Sequence, residues 1–247
     1  MGRVPLSRDL RPRRQPLELA PVRADSFPTT RLTTVLEMAR NGVPQADGEL
    51  RARIMLRYAK PLEIYASGSS LRQIAEPSDL VHGFFVQGLA RPDFLQRYQS
   101  SGMRLRRWLM NGLLLHARGI ARDRVRMHRH EGAPLESAAH IADHDQTAED
   151  AYNRAWALAL LSEACASIEG ALLAEGRDRA WTVFRRHALD GASYRDLESE
   201  LGLGRQQMAD LVRGVTKRLR VRVLELLQHE GGDASDDLLE VIRLVTE

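Results

Sequence analysis

Two groups of side chains in this 247-residue chain have types and spacings that can do chemistry. The first is His128, His130, His140 and His144 beside Asp143 and Asp145. His and Asp are common metal ligands, so a metal-dependent hydrolase centre is one reading. The spacing matches no recognised ligand pattern, however, and the surrounding stretch is polar and linker-like, which does not preorganise a coordination sphere. No metal or other cofactor, and no catalytic residue, is therefore expected. The second group is basic. Arg104, Arg107, Asn111, Arg118 and Arg122 line one side of an apolar-periodic stretch that also carries Trp108. Arginines beside an aromatic ring suit phosphate contact and base stacking. Further along, Arg205, Gln206, Gln207, Arg213, Lys217 and Arg220 decorate a second periodic stretch. Side chains of these kinds contact base edges and phosphates in DNA grooves.

The element that must hold the later group is Ser193 to Leu227. Tyr194, Leu197 and Leu201 recur at helical spacing, Gly202 interrupts them, and Met208, Leu211, Val212, Val215 and Leu219 resume the pattern. This is the sequence form of a helix-turn-helix, and the glycines of Gly202-Leu203-Gly204 suit a turn that needs positive φ. An amphipathic helix with a basic outer face also serves as an ordinary solvated surface helix, so the rest of the chain must discriminate.

Composition favours helix throughout. Apolar residues make up 43% of the chain but aromatics only 5%, and alternating β-branched runs are lacking, so an all-α protein is expected. Two helical domains fit this length better than one large one. Net charge is +3 with 36 Lys and Arg against 33 Asp and Glu, so local patches matter more than the total. The single cysteine, Cys165, excludes a disulfide framework and points to a reducing, cytoplasmic setting. No apolar run is expected to reach the roughly 18 residues of a membrane span, and the basic N-terminus lacks a signal-peptide apolar core.

In chain order, residues 1–27 read as a disordered basic tail rich in Arg and Pro. A helical domain over 28–130 follows, with helices around Leu32 to Ala39, from Asp47 to Tyr65 with a kink or break at Pro61, one capped by Ser78, and the Trp108 helix. Residues 131–150 form an acidic linker, taken as the domain boundary. A second domain spans 151–229, opened by a long helix capped by Thr147 and closed by the helix-turn-helix. Residues 230–247 form an acidic amphipathic tail that covers apolar surface.

Several motifs in this order resemble the extracytoplasmic-function sigma factors, in particular a group from large-genome bacteria. Thr29-Thr30-Arg31-Leu32 is similar to that group's Thr-Thr-Arg-Trp opening, and Asp79-Leu80-Val81-His82-Gly83-Phe84-Phe85 to its Asp-Leu-x-Gln-Glu-x-Phe signature. Leu105-Arg106-Arg107-Trp108-Leu109 resembles its Phe-Arg-x-Trp-Leu motif, and Tyr194 to Leu227 its second conserved domain. The resemblance covers about residues 28–245. It implies that Asp79, Leu80, His82, Phe84 and Phe85 bind core RNA polymerase, that the Trp108 helix opens the minus-ten element, and that Arg205 to Arg220 read the minus-thirty-five element. Core RNA polymerase, promoter DNA and an anti-sigma or other regulatory protein are the implied partners. The chain departs from the family at His82-Gly83, where Gln-Glu is usual, and this motivates a second reading: a helix-turn-helix regulator that no longer binds polymerase. A metal-dependent enzyme built on the linker histidines is a third.

Overall fold

The computed structural model describes residues 45–89, 91–130, 145–228, 230 and 234–246. The expected tail, the helix near Leu32, and most of the acidic linker lie outside them. Among the described residues the fold is all-α, without strands. The helices are α1 (Gln45–Gly68), α2 (Pro77–Phe84), α3 (Phe94–Ser101), α4 (Leu105–His130), α5 (Gln146–Ala174), α6 (Asp178–Phe184), α7 (Tyr194–Leu201), α8 (Arg205–Leu227) and α9 (Ala234–Thr246). Short π-helical segments, Phe85–Leu89 and Arg185–Leu189, extend α2 and α6.

The described residues fall into two compact units. The larger takes the chain through Ser167 and resumes at Leu219, and the smaller is Ile168–Arg218. Both boundaries lie inside helices, α5 and α8, rather than at the linker expected over 131–150. The reason is the apolar stripe of α5. Ala148, Tyr152, Trp156, Ala157, Leu160 and Ala164 are buried with α1, α2 and α4 in the larger core, so the first part of α5 belongs there. The acidic tail is likewise α9, with Leu238 and Val241 inside the same core.

Local details correct three further expectations. Pro61 lies inside α1, which continues through it. A helix-interior proline costs about 3 kcal/mol, and burial of Met55, Leu62 and their aromatic neighbours Tyr58 and Tyr65 offsets that, at roughly 1.5–3 kcal/mol for each fully buried Leu or Met. The start of α2 has Pro77 in its first turn after Glu76, with no side-chain cap from Ser78. At α5 the cap is Asp145, which accepts from the Ala148 amide at 3.2 Å, in place of Thr147.

Helices α2 and α4 approach closely because glycines stand where they cross. A Cβ on Gly112 would come within 2.9 Å of the Phe84 ring, and one on Gly83 within 3.2 Å of His116 Nε2. Gly83, the departure from the sigma-like signature, thus lies against α4.

A buried polar network ties the late residues of the chain to α1. Glu230 accepts from Tyr58 Oη and, at 2.7 Å, from Arg57 Nη1, while Arg57 also holds Glu163 at 2.9 Å. Trp156 Nε1 donates to Tyr58 Oη at 3.1 Å, and the Leu105 amide donates to the Glu230 carbonyl at 2.8 Å. Burial lifts the Tyr58 hydroxyl well above its usual range, so it stays a donor. Within α5, one 18-residue window has mean hydropathy 1.5, enough by length and composition to cross a membrane, contrary to the expectation that no such run exists. About 28% of that window is buried inside the protein, and the helix sends Trp156, Leu160 and Ala164 into the core.

Candidate nucleic-acid interface

On α4 the sequence places Arg104, Arg107, Asn111, Arg118 and Arg122 at spacings that a helix brings to one side. At 1.5 Å of rise per residue, Arg104 and Arg122 are about 27 Å apart along it, so the row is long enough to follow a nucleic-acid backbone. The structure divides the row in two.

At its N-terminal end the guanidiniums already have carboxylate partners. Arg104 Nη1 is 2.7 Å from Asp237 and 3.2 Å from Glu240. Arg106, absent from the expected set, is 8% exposed, contacts Glu240 at 2.5 Å and Asp237 at 3.7 Å, and lies 4.5 Å over the Trp156 ring. Arg107 pairs with Glu149 at 2.7 Å. Arg104, Arg106, Arg107, Glu149 and Asn153 surround a cavity of about 240 Å³. Burial pushes the Asp237 carboxyl upward against the pull of Arg104 and Arg106. For Glu240 burial pushes the same way, but the Arg106 hydrogen bond and the charges of Arg106 and Arg104 together prevail and hold it below its ordinary value.

Toward the C-terminal end of α4, Arg122 and Arg124 are exposed. Arg122 donates through Nε to the Arg118 carbonyl at 3.1 Å, and exposed Arg126 pairs with exposed Asp123 at 2.8 Å. Arg118 is half-buried. Asn111 is half-buried and its amide reaches Met103 Sδ at 3.7 Å. Trp108 is half-buried with its ring edge-on to Phe94 at 4.7 Å and near Tyr98 at 5.7 Å, a packing role that leaves only part of the indole for stacking. Sequence reading puts Arg124 in the basic end of this helix, within Arg122-Asp123-Arg124, but not among the expected contacts. It missed the carboxylates that neutralise Arg104, for which no local signal exists.

The residues expected to meet polymerase separate by exposure. Asp79 is exposed and His82 half-buried, whereas Leu80, Phe84 and Phe85 are 1%, 6% and 2% exposed and belong to the core. Phe84 covers Gly112, and its ring centroid lies 5.5 Å from that of Phe85. These three therefore hold this part of the chain in the core.

The smaller unit is organised by Val183, Leu197, Leu203 and Met208, all buried, with Tyr194, Leu201, Leu211 and Val212 packed around them. Ser193 caps α7 by accepting from the Asp196 amide at 3.2 Å. Gly202 ends α7 at φ +63°, a left-handed conformation that side-chain-bearing residues rarely adopt. Leu203 then turns into the core, and α8 begins at Arg205. Burying Met208 and Val215 leaves Arg205, Gln206, Gln207, Arg213 and Lys217 exposed. Gln206, Asp210, Arg213 and Lys217 fall within about 60° of one another on the helix. Asp210, not among the expected contacts, accepts from Arg213 and from Gln206 Nε2 at 3.4 Å. Arg220 is exposed too, but on the part of α8 that belongs to the larger unit.

Of the linker histidines and aspartates, only Asp145 has a described side chain, and it caps α5. Among the described residues no three His, Cys, Asp or Glu side chains gather as a metal site. Comparisons with family models, with curated proteins and with solved structures return no match to this chain.

Proposed function

We propose that this chain is a sigma-like transcription initiation protein: two helical modules, the second a helix-turn-helix, that bind core RNA polymerase and direct it to promoter DNA from within the cytoplasm. The observation that carries the reading is the α7–α8 arrangement. A left-handed Gly202 turn and a shared core fix the angle between the helices, and α8 then offers Gln206, Arg213 and Lys217 as one exposed strip with Arg205 at its start. Such a strip suits a DNA major groove, where a good bidentate contact discriminates bases by about 1–3 kcal/mol. The open end of α4, with Arg122 and Arg124, supplies a second cationic surface in the position that the resemblance assigns to the minus-ten element.

The test is promoter binding by the double variant Arg213→Ala, Lys217→Ala. Removing two phosphate-neutralising cations lowers affinity and flattens the slope of log K against log salt by about 2. Unchanged affinity and slope would remove α8 from the DNA interface. A second reading, a regulator without polymerase binding, is favoured by the burial of Leu80, Phe84 and Phe85 and by Gly83 facing His116, which leave Asp79 and His82 as the polar groups at that surface. Co-elution with bacterial core RNA polymerase, lost on mutating Asp79 and His82, supports the sigma-like reading; retained DNA binding without co-elution supports the regulator.

A further inference from the structure

The acidic helix α9 lies against the N-terminal end of α4, at the other end of the helix from the open cations Arg122 and Arg124. Three of its features bear on why. Its carboxylates are placed on guanidiniums rather than in solvent: the Asp237 side chain is 2% exposed, and Asp237 and Glu240 between them contact both Arg104 and Arg106 at 2.5–3.7 Å. The cluster is also incompletely satisfied. Arg106 Nη1 is buried without a hydrogen-bond partner among the described residues, while Asp237 Oδ1 stands 2.7 Å from Arg104 Nη1. Finally, α9 packs on the core through Leu238 and Val241, with Leu244 and Val245 partly buried against it, and leaves Leu239 and Ile242 exposed.

A helix that only had to cover apolar surface needs no buried carboxylates, because moving ion pairs out of water carries a desolvation cost that their attraction often fails to offset. Leaving buried polar atoms unpaired adds to that cost. Two carboxylates on two arginines is instead the charge pattern that a phosphate backbone would present to the same groups. We propose that α9 is an intramolecular competitor of nucleic acid: Asp237 and Glu240 occupy Arg104 and Arg106 in the resting chain, and nucleic-acid phosphates replace them as α9 lifts. This rests on the proposed nucleic-acid role of α4. It places regulation of that surface inside the chain itself. Arg104, whose side chain is 38% exposed, is the first group a phosphate can reach, and Arg106 becomes available only once α9 moves. Nucleic acid and docked α9 then oppose each other, since a phosphate on Arg106 requires the helix to leave.

The experiment uses the full chain and a fluorescein-labelled mixed-sequence single-stranded DNA, titrated across a salt series. The variant Asp237→Asn, Glu240→Gln keeps the shape of α9 and removes its charge. It is expected to bind several-fold tighter at low salt, with a slope of log K against log salt steeper by about 1.4, two further phosphates on a single strand. Adding Arg104→Ala to that background should cancel part of the gain. Equal affinity and slope for wild type and variant, with wild type binding, would overturn the competition while leaving the nucleic-acid reading intact. If Arg122→Ala, Arg124→Ala fails to weaken binding by the wild-type chain, the nucleic-acid role of α4 falls, and the proposal with it. A readout independent of the substitutions is amide exchange in wild type: residues 234–246 should exchange faster when the oligonucleotide is bound, and unchanged protection would refute the lifting of α9.

Discussion

Truncating Glu230 to Ala should be among the most damaging single changes in the larger unit, and the structure sets the magnitude. Glu230 is 2% exposed and accepts from both Arg57 and Tyr58. Without its carboxylate the Tyr58 hydroxyl, fully buried, loses its acceptor while still receiving the Trp156 N–H. A buried group left in that state costs about 1–3 kcal/mol. Arg57 loses one of two partners but keeps Glu163 at 2.9 Å, on the 33% exposed side of the cluster. Breaking a buried pair outright costs about 3–5 kcal/mol, and the surviving Glu163 contact moves the expectation to the lower end, about 3 kcal/mol. The backbone bond from the Leu105 amide to the Glu230 carbonyl is untouched by the substitution, so local chain direction is preserved. At about 2–4 °C per kcal/mol for a chain of this size, Tm should fall by about 6–12 °C. Thermal circular dichroism, supported by urea midpoints, measures it. A fall of less than about 2 °C would mean that the network contributes little and that apolar packing alone seats this part of the chain.

Two further outcomes follow for the larger unit. On α4, Gly112→Ala should destabilise by about 1 kcal/mol, because overpacking against Phe84 exceeds the gain in helix propensity, whereas Gly119→Ala, with nothing within 4 Å of the added Cβ, should stabilise by about 0.5–1 kcal/mol; urea midpoints that move in the same direction would contradict the close α2–α4 approach. The comparison of Glu230→Gln with wild type should depend on pH. Burial lifts the Glu230 carboxyl above its ordinary 4.5, against the pull of Arg57 and Tyr58, so the folded chain keeps a proton that the unfolded chain has already released. That contribution is complete below about pH 4.5 and is lost as pH rises through the folded value, so the Tm difference should shift in favour of Gln between about pH 4 and pH 8. A constant difference, or a shift the other way, would refute the desolvated state of this carboxyl.

Helix content and most helix positions were legible because they depend on local periodicity. Leu105, Leu109 and Leu113 repeat at spacings that can only face one way on a helix, and all three are buried. The turn between α7 and α8 was legible for the same reason, since Gly202 signals its own backbone conformation. What escaped was long-range pairing. Glu230 and Asp237 lie in a polar, acidic stretch whose composition reads as solvated, yet their partners lie 131 to 173 positions earlier at Arg57, Tyr58, Arg104 and Arg106, and nothing in the neighbourhood of a carboxylate announces such a partner. The division of α5 was hidden differently. Its apolar stripe is continuous from Ala148 to Leu172, so periodicity could not show that the stripe passes from one core to another. Within the candidate interface, residue type identified the cations, but only the three-dimensional arrangement distinguished neutralised Arg104 from open Arg122.

Because Ile168–Arg218 interrupts the larger unit, the ribosome makes the parts of that unit at two separate times. The residues through Ser167 emerge first, then the whole smaller unit, and only then Glu230, Asp237 and Glu240. At about 5–20 residues per second this interval lasts seconds. Throughout it Tyr58 and Arg106 lack the acids that later hold them, Arg57 has Glu163 but not Glu230, and the Leu105 amide lacks its carbonyl. The nascent chain thus passes through a stage more basic than the finished protein, in which the smaller unit can complete its own core while the larger one waits for its last two helical segments. Translation order alone makes the interrupted unit the later of the two to mature.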